Sequence, residues 1–290
     1  MNKDPMADLS DDIETQYNPR KAVPNVEQFA LHAATISQLT RNTRRSRLDL
    51  RYGAGLLATL DVFPASAPNA PLHVFLHGGY WRGRDKSDYS YVADALVPLG
   101  ITTVVMNYDL CPQSELPAIV QQVREGFRWI HSHAAELGGD PAWLTASGHS
   151  AGAHLIAAAL PTGPAAGLVG MPSAALLVSG IYELEPILSI TVNQEIRLRP
   201  EQVDPMSPMR HPPTPAVALT VAVGGRETAA FVAQSHRFAQ TCAAQGTSTT
   251  YVELPGHDHY SIMGLLEGPD APLARLIDCM ARPNDGLRAR

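Results

Sequence analysis

The amino-acid sequence predicts an α/β protein built on a mostly parallel sheet of eight strands flanked by helices, and three observations carry that prediction. Five short runs are apolar or β-branched almost throughout and end in glycine or polar residues: LHVFLHG (72–78), ITTVVMNY (101–108), AWLTASG (142–148), SAALLVSG (173–180) and AVALTVAVGG (216–225). Strands buried on both faces read this way. Helical patterns fall between them at 85–97, 114–137, 151–160 and 228–245, and such alternation produces parallel pairing through crossover helices. Finally, the 290 residues contain no Gly/Ser linker, charge block or internal repeat to divide them, so one large core is expected.

In chain order, residues 1 to about 17 are acidic and polar and are expected to be disordered. EQFALHAATISQLT (27–40) has helical spacing and is expected to lie across the body as a lid or brace. RLDLRYG and ATLDVFP alternate apolar and polar residues, as two half-exposed antiparallel strands do. The five buried runs follow, and then a last strand, STTYVELPG, and a final helix near 261–281. The stretch 182–215, rich in Pro and Met, interrupts the rhythm and is read as a cap over the carboxyl edge of the sheet, where ligands of open α/β sheets bind. The expected organisation is a leader and lid helix at 1–45, a main domain at 46–281 and a tail at 282–290. GAGLLA (53–58) has the glycines of a dinucleotide site, but the strand LDVFP follows where a helix is required.

Composition narrows the function. The net charge of −6 argues against a nucleic-acid partner, and no apolar stretch reaches membrane-spanning length. Cys111, Cys242 and Cys279 are odd in number and widely spaced, which suits free buried thiols in a reducing compartment. The N-terminus lacks the apolar core of a signal peptide, so a cytoplasmic protein is expected. Its partner is expected to be a small molecule, with at most a second copy of the chain as a macromolecular one.

Gly148-His149-Ser150-Ala151-Gly152 stands between a buried strand and an Ala-rich helix. A turn this sharp forces the serine into a strained backbone conformation, tolerates only small neighbours and lifts the hydroxyl clear of the sheet. Ser150 is therefore the candidate nucleophile. Acyl transfer also needs donors for an oxyanion, supplied by the N–H after the nucleophile and by an earlier strand-to-helix loop. FLHGGYW (75–81) ends such a strand, which assigns the N–H groups of Gly79, Tyr80 and Ala151 to the hole. Tyr80, Trp81 and His149 become candidate pocket walls, and His77 a brace for the loop.

The base and acid follow from chain order, Ser then acid then His. The last strand opens into GHDHYS, and His259, beside the final helix, is preferred over His257. Glu227 follows the seventh strand directly and is preferred over Asp204, in the cap, and Asp258, which is too close to His259 in sequence to reach its ring. No cofactor and no metal are expected.

HGGYW, NYDLCP (107–112), GHSAGAH (148–154), VGGRET…FVAQS (223–235) and LPGHDHYS (254–261) together resemble α/β-hydrolases of the serine kynurenine formamidase (arylformamidase) type, kin of the hormone-sensitive-lipase-like esterases. The resemblance covers about residues 47–280, and the leader YNPRKAVP is also similar. It implies the α/β-hydrolase fold and hydrolysis of N-formylkynurenine or related aryl formamides, amides and esters through an acyl-enzyme. Arg82, Arg84 and His154 are the candidates for holding a substrate carboxylate. The competing readings are a general short-chain carboxylesterase, a metal-dependent amidohydrolase using His257 and His259, and a non-catalytic binding protein. Chelator sensitivity separates the metal reading. The complete Ser150, Glu227, His259 set argues against the binding protein.

Overall fold

The computed structural model describes residues 13–162 and 169–282. Its eight strands are β1 (Arg47–Arg51), β2 (Thr59–Phe63), β3 (Ala70–Leu76), β4 (Thr102–Met106), β5 (Gly139–His149), β6 (Ala174–Val178), β7 (Ala218–Gly224) and β8 (Thr249–Leu254). They form one sheet in the order β1-β2-β4-β3-β5-β6-β7-β8. β1–β2 and β2–β4 pair antiparallel, and every other pair is parallel. The β4 and β6 side chains are buried on both faces, so these strands read as unbroken apolar runs.

Apolar cores cover both faces. One joins Val74, Leu76, Val104 and Val221 to helices Leu116–Ser132, Ala151–Ala159 and Ala229–Ala244. The other joins Phe75, Val105 and Leu176 to helices Val92–Leu96 and Pro272–Ala281. Leu116, Ile119, Val120, Val123, Phe127 and Ile130 make the buried stripe of their helix, the 3–4 spacing that places side chains on one face.

Three expectations are corrected. The pattern at 85–97 is not one helix but a 3₁₀ turn, Lys86–Tyr89, and the helix Val92–Leu96, with a further turn at Val97–Leu99. The chain folds inward there because Lys86, 3% exposed, reaches Asp61 at 2.8 Å. The span 261–281 likewise splits into the turn Ser261–Leu266 and the helix Pro272–Ala281, around Gly268-Pro269 and Pro272. Residues 13–17, read as disordered, form a helical turn, Ile13–Tyr17, whose Tyr17 is buried; residues 1–12 lie outside the described residues. Of the thiols, Cys111 and Cys242 are buried and free, whereas Cys279 is exposed.

The N-terminal helix runs over Val26–Thr43. Its end is pinned to the sheet by charge: Arg41 pairs with Asp61, which is fully buried and also holds Lys86. Two cations compensate one desolvated carboxylate, the condition under which such a group is tolerated.

Close packing sets the strand-to-helix turn after β5. A Cβ on Gly152 would lie 2.2 Å from the Leu76 carbonyl oxygen, and one on Gly148 would lie 2.5 Å from the Gly152 carbonyl carbon. Both obstacles are backbone and cannot rotate away. Gly152→Ala is therefore expected to destabilise the fold by roughly 3 kcal/mol. Thermal unfolding measures this, and a native-like Tm would contradict the packing argument.

Candidate active site

Ser150 has φ 54° and ψ −116°, and its N–H is held by the Val178 carbonyl at 2.8 Å. That left-handed backbone is the strain expected of a serine on a sharp elbow. The hydroxyl donates to His259 Nε2 at 3.0 Å, and His259 Nδ1–H donates to Glu227 Oε2 at 2.7 Å. Sequence order alone placed these three residues on loops after β5, β7 and β8; the parallel register of those strands brings the loop ends together at one sheet edge. Ser150 and His259 are 4% exposed.

Glu227 is held from its other side. Its Oε1 accepts the Gly224 N–H at 2.8 Å and the Ser179 hydroxyl at 2.5 Å, contacts that fix the orientation of the carboxylate. Ser179 was not singled out from sequence. Its signal was weak, a serine ending β6, and its left-handed φ of 52° appears only in the fold. Phe231 was also missed, and it packs edge-on against His259 with ring centroids 4.8 Å apart.

His257 and Asp258 stand apart from this chain. The His257 carbonyl accepts the Arg226 N–H, and Asp258 Oδ1 accepts the N–H groups of Tyr260 and Ser261, shaping the loop that presents His259. Asp204 pairs with His211 and Arg210, away from the triad. Among the described residues, no group of three or more His, Cys, Asp or Glu side chains could hold a metal ion.

The loop after β3 is bent by three consecutive left-handed residues, Gly79 (φ 117°), Tyr80 (52°) and Trp81 (55°). His77 supports it from below, fully buried, 2.9 Å from Asn107 Oδ1 and stacked between Tyr89 and Tyr108. A Cβ on Gly78 would come within 3.1 Å of the Ser150 Cβ, so the loop lies directly against the elbow. The N–H groups of Gly79, Tyr80 and Ala151 have no acceptor among the described residues.

The candidate pocket walls divide. Tyr80 and His149 line a cavity of about 440 Å³ above Ser150. Trp81 does not: it is fully buried, edge-on to His154 at 4.8 Å, because the left-handed turn throws the indole inward. Its place as a pocket wall is corrected on that ground. The aromatic faces on the cavity are Phe29, Tyr80, Tyr89, Tyr91 and Tyr260, with Asn18, Pro19 and Ala30 of the N-terminal segment closing one side. The Tyr80 hydroxyl donates to the Tyr17 carbonyl, tying that segment to the loop.

His149 donates from Nε2 to the His259 carbonyl at 2.8 Å, and burial, reinforced by the neighbouring His259, keeps its own pKa well below the usual histidine value. His154 is buried as well, donates to the Met206 carbonyl and is pushed down to about 4 by desolvation. It offers no cation to a ligand.

The fold and this arrangement define a hydrolase of the α/β-hydrolase class. A family model described as BD-FAE matches residues 60–164. The chain is 31% identical to the kynurenine formamidase of Danio rerio over 281 residues, covering 92% of this chain and 94% of that protein. It is 30% identical to the kynurenine formamidase of Drosophila melanogaster over 240 residues, 79% of each. The chain belongs to the kynurenine formamidase family. Among solved structures, a Silicibacter protein provisionally described as a thioesterase superposes with a TM-score of 0.80 at 26% identity, over 92% of this chain and 98% of that one. A Pyrobaculum calidifontis esterase shares the fold, with a TM-score of 0.69 at 16% identity over 93% and 96%. No helix among the described residues is long and apolar enough to cross a membrane.

Proposed function

We propose that the protein is a serine hydrolase that cleaves a small aryl formamide or aryl ester through an acyl-enzyme on Ser150. The observation that carries this is the unbroken hydrogen-bond chain Ser150–His259–Glu227 on the floor of the aromatic cavity. In the proposed first step Ser150 Oγ attacks the acyl carbon while His259 Nε2 takes the hydroxyl proton. Negative charge developing on the carbonyl oxygen is met by the free N–H groups of Gly79, Tyr80 and Ala151. The intermediate collapses, His259 returns the proton to the departing aryl nitrogen or oxygen, and the aryl product leaves. Water, deprotonated by His259, then releases formate or another short acid and restores Ser150. Glu227 fixes the imidazole tautomer and stabilises the imidazolium. The N-terminal segment and the helix Val26–Thr43 serve as a lid, the residues near 182–215 as a cap, and the cytoplasm as the compartment.

The formamide reading draws on the relatives named kynurenine formamidase. The second reading, a short-chain carboxylesterase, draws on Esterase LipQ of Mycobacterium tuberculosis, 30% identical over 236 residues, 73% of this chain and 56% of that protein. The test is kcat/KM for matched aryl formamides, acetamides and esters, with p-nitrophenyl esters from C2 to C10. Tyr80 stands on the cavity lining in the oxyanion loop, and its bulk narrows the space beside Ser150 that an acyl chain would need. The C10 ester is expected to be roughly tenfold or more poorer than the C2 ester, since each misfit methylene costs on the order of 1 kcal/mol. An optimum at long chains would overturn the narrow-pocket claim, and absence of formamide cleavage would leave the esterase.

A further inference from the structure

Ser179 follows the last residue of β6 with its backbone in the left-handed region, φ 52°, as Ser150 does after the adjacent β5 with φ 54°. Each serine N–H bonds to the neighbouring strand, Ser150 to the Val178 carbonyl at 2.8 Å and Ser179 to the Ala222 carbonyl at 2.7 Å. Glycine adopts this conformation without the steric cost that a Cβ brings. The chain does place a glycine one residue on, where a Cβ at position 180 would lie 2.5 Å from the Tyr182 hydroxyl. At the strained position itself it keeps a side chain, and a strained non-glycine residue beside an active site points to a use for that side chain.

The use is visible in the hydrogen bonds. Ser179 is fully buried and is not part of the cavity lining, so it has no contact with a substrate held there. Its hydroxyl donates to Glu227 Oε1 at 2.5 Å, and the Gly224 N–H donates to the same oxygen at 2.8 Å. Oε2 is thereby left to accept from His259 Nδ1–H at 2.7 Å. A glutamate side chain has three torsions, and a single backbone donor leaves its carboxylate free to pivot about that one bond. A second donor from another strand removes the pivot and aims Oε2 at the imidazole. β6 and β7 pair in parallel with Val178 opposite Ala222, which sets the two donors on neighbouring strand ends.

We propose that Ser179 is a positioning residue whose hydroxyl locks the Glu227 carboxylate in the plane that holds His259 toward Ser150. The proposal rests on the reading of Ser150, His259 and Glu227 as a catalytic triad. It adds a further side chain that acts only through Glu227.

Ser179→Gly tests it, because this change removes the hydroxyl and relieves the left-handed strain together. Its Tm is expected to stay close to that of wild type, while kcat for an aryl ester falls about tenfold with KM unchanged, the upper range for loss of one hydrogen bond. Ser179→Ala keeps the strain and should lose kcat equally while being less stable. In a Glu227→Gln background Ser179→Gly should cost nothing further, since the two residues act through one contact. The far-downfield NMR signal of the His259 Nδ1 proton, read without substrate, should weaken or broaden in folded Ser179→Gly protein. Wild-type kcat with an unaltered proton signal would overturn the proposal. So would a rate loss that vanishes once corrected for the folded fraction, or a tenfold loss repeated in the Glu227→Gln background. A proton signal that depends on Ser179, in a protein that cleaves no ester or formamide, removes the hydrolase reading and keeps this one. Crippled Ser150→Ala and Glu227→Gln variants beside a wild-type Ser179→Gly do the opposite.

Discussion

Ser150→Ala is expected to lower kcat by about five to six orders of magnitude while KM changes little, because nucleophile and base act as one unit. A residual rate of about 10³–10⁴ over water should persist from binding and the oxyanion donors. The hydroxyl has a single strong partner, His259 Nε2 at 3.0 Å, so His259→Ala should fall to a similar level, and the double variant no further. Glu227→Gln should cost about 10⁴, as the amide can present a donor to Nδ1 and select the wrong tautomer. His257→Ala should stay near wild type, since only its backbone carbonyl shapes the loop. A sulfonyl fluoride should label Ser150. Full activity in Ser150→Ala, mapping of the label elsewhere, or a crippled His257→Ala would each defeat the triad.

The second large effect is on stability in acid. His73 and His154 are fully buried and His149 nearly so. Desolvation pushes His73 down to about 3 and His154 to about 4, and holds His149 well below the ordinary value. His73 has only hydroxyl partners, Thr145 at 2.9 Å and Ser147 at 2.7 Å, which satisfy a neutral ring without a counter-charge. In the unfolded chain these rings titrate near 6.5. As pH falls below that value the unfolded state takes up protons at these three rings that the native state refuses, and His77, also fully buried and lowered by desolvation, adds to the effect, so native stability is lost toward acid and is fully present above about pH 7. Each ring contributes about 1.4 kcal/mol per pH unit at the steepest, and the three together about 4. Against a total stability of about 5–15 kcal/mol, cooperative unfolding is expected between about pH 6 and 4.5, before most carboxylates titrate. Urea midpoints measured across pH 7.5 to 4.5 check this, and His73→Gln should lower the slope by about a quarter to a third. Stability that stays flat to pH 4.5 would contradict it.

Strands were legible because burial on both faces leaves a local signature: Val104, Val105 and Met106 are apolar whichever side of the sheet they meet. The elbow was legible for a similar reason, since Gly148 and Gly152 are demanded by backbone atoms within a few residues or on the adjoining strand. Chain order then assigned Glu227 and His259, because in a parallel sheet the order of strands dictates which loops share the carboxyl edge. These properties are set by residue type and spacing, and the amino-acid sequence determined them without help.

Other features depended on contacts between distant segments. Trp81 reads as a pocket aromatic until the left-handed turn at 79–81 buries it against His154. The broken helix at 86–99 follows from Lys86 reaching Asp61. Ser179 joins the site only because β6 lies beside β7 and sets its hydroxyl against Glu227. Arg82 and Arg84 are alike in sequence, and only the tertiary structure distinguishes them, by pairing Arg82 with the distant Glu195. Periodicity and turn chemistry report the few residues on either side of a position, so the sequence alone determined the sheet, the elbow and the order of the candidate triad. Which side chains are buried, paired or left facing the cavity is decided by the free energy of long-range packing and charge compensation, and that is settled only when the tertiary structure forms.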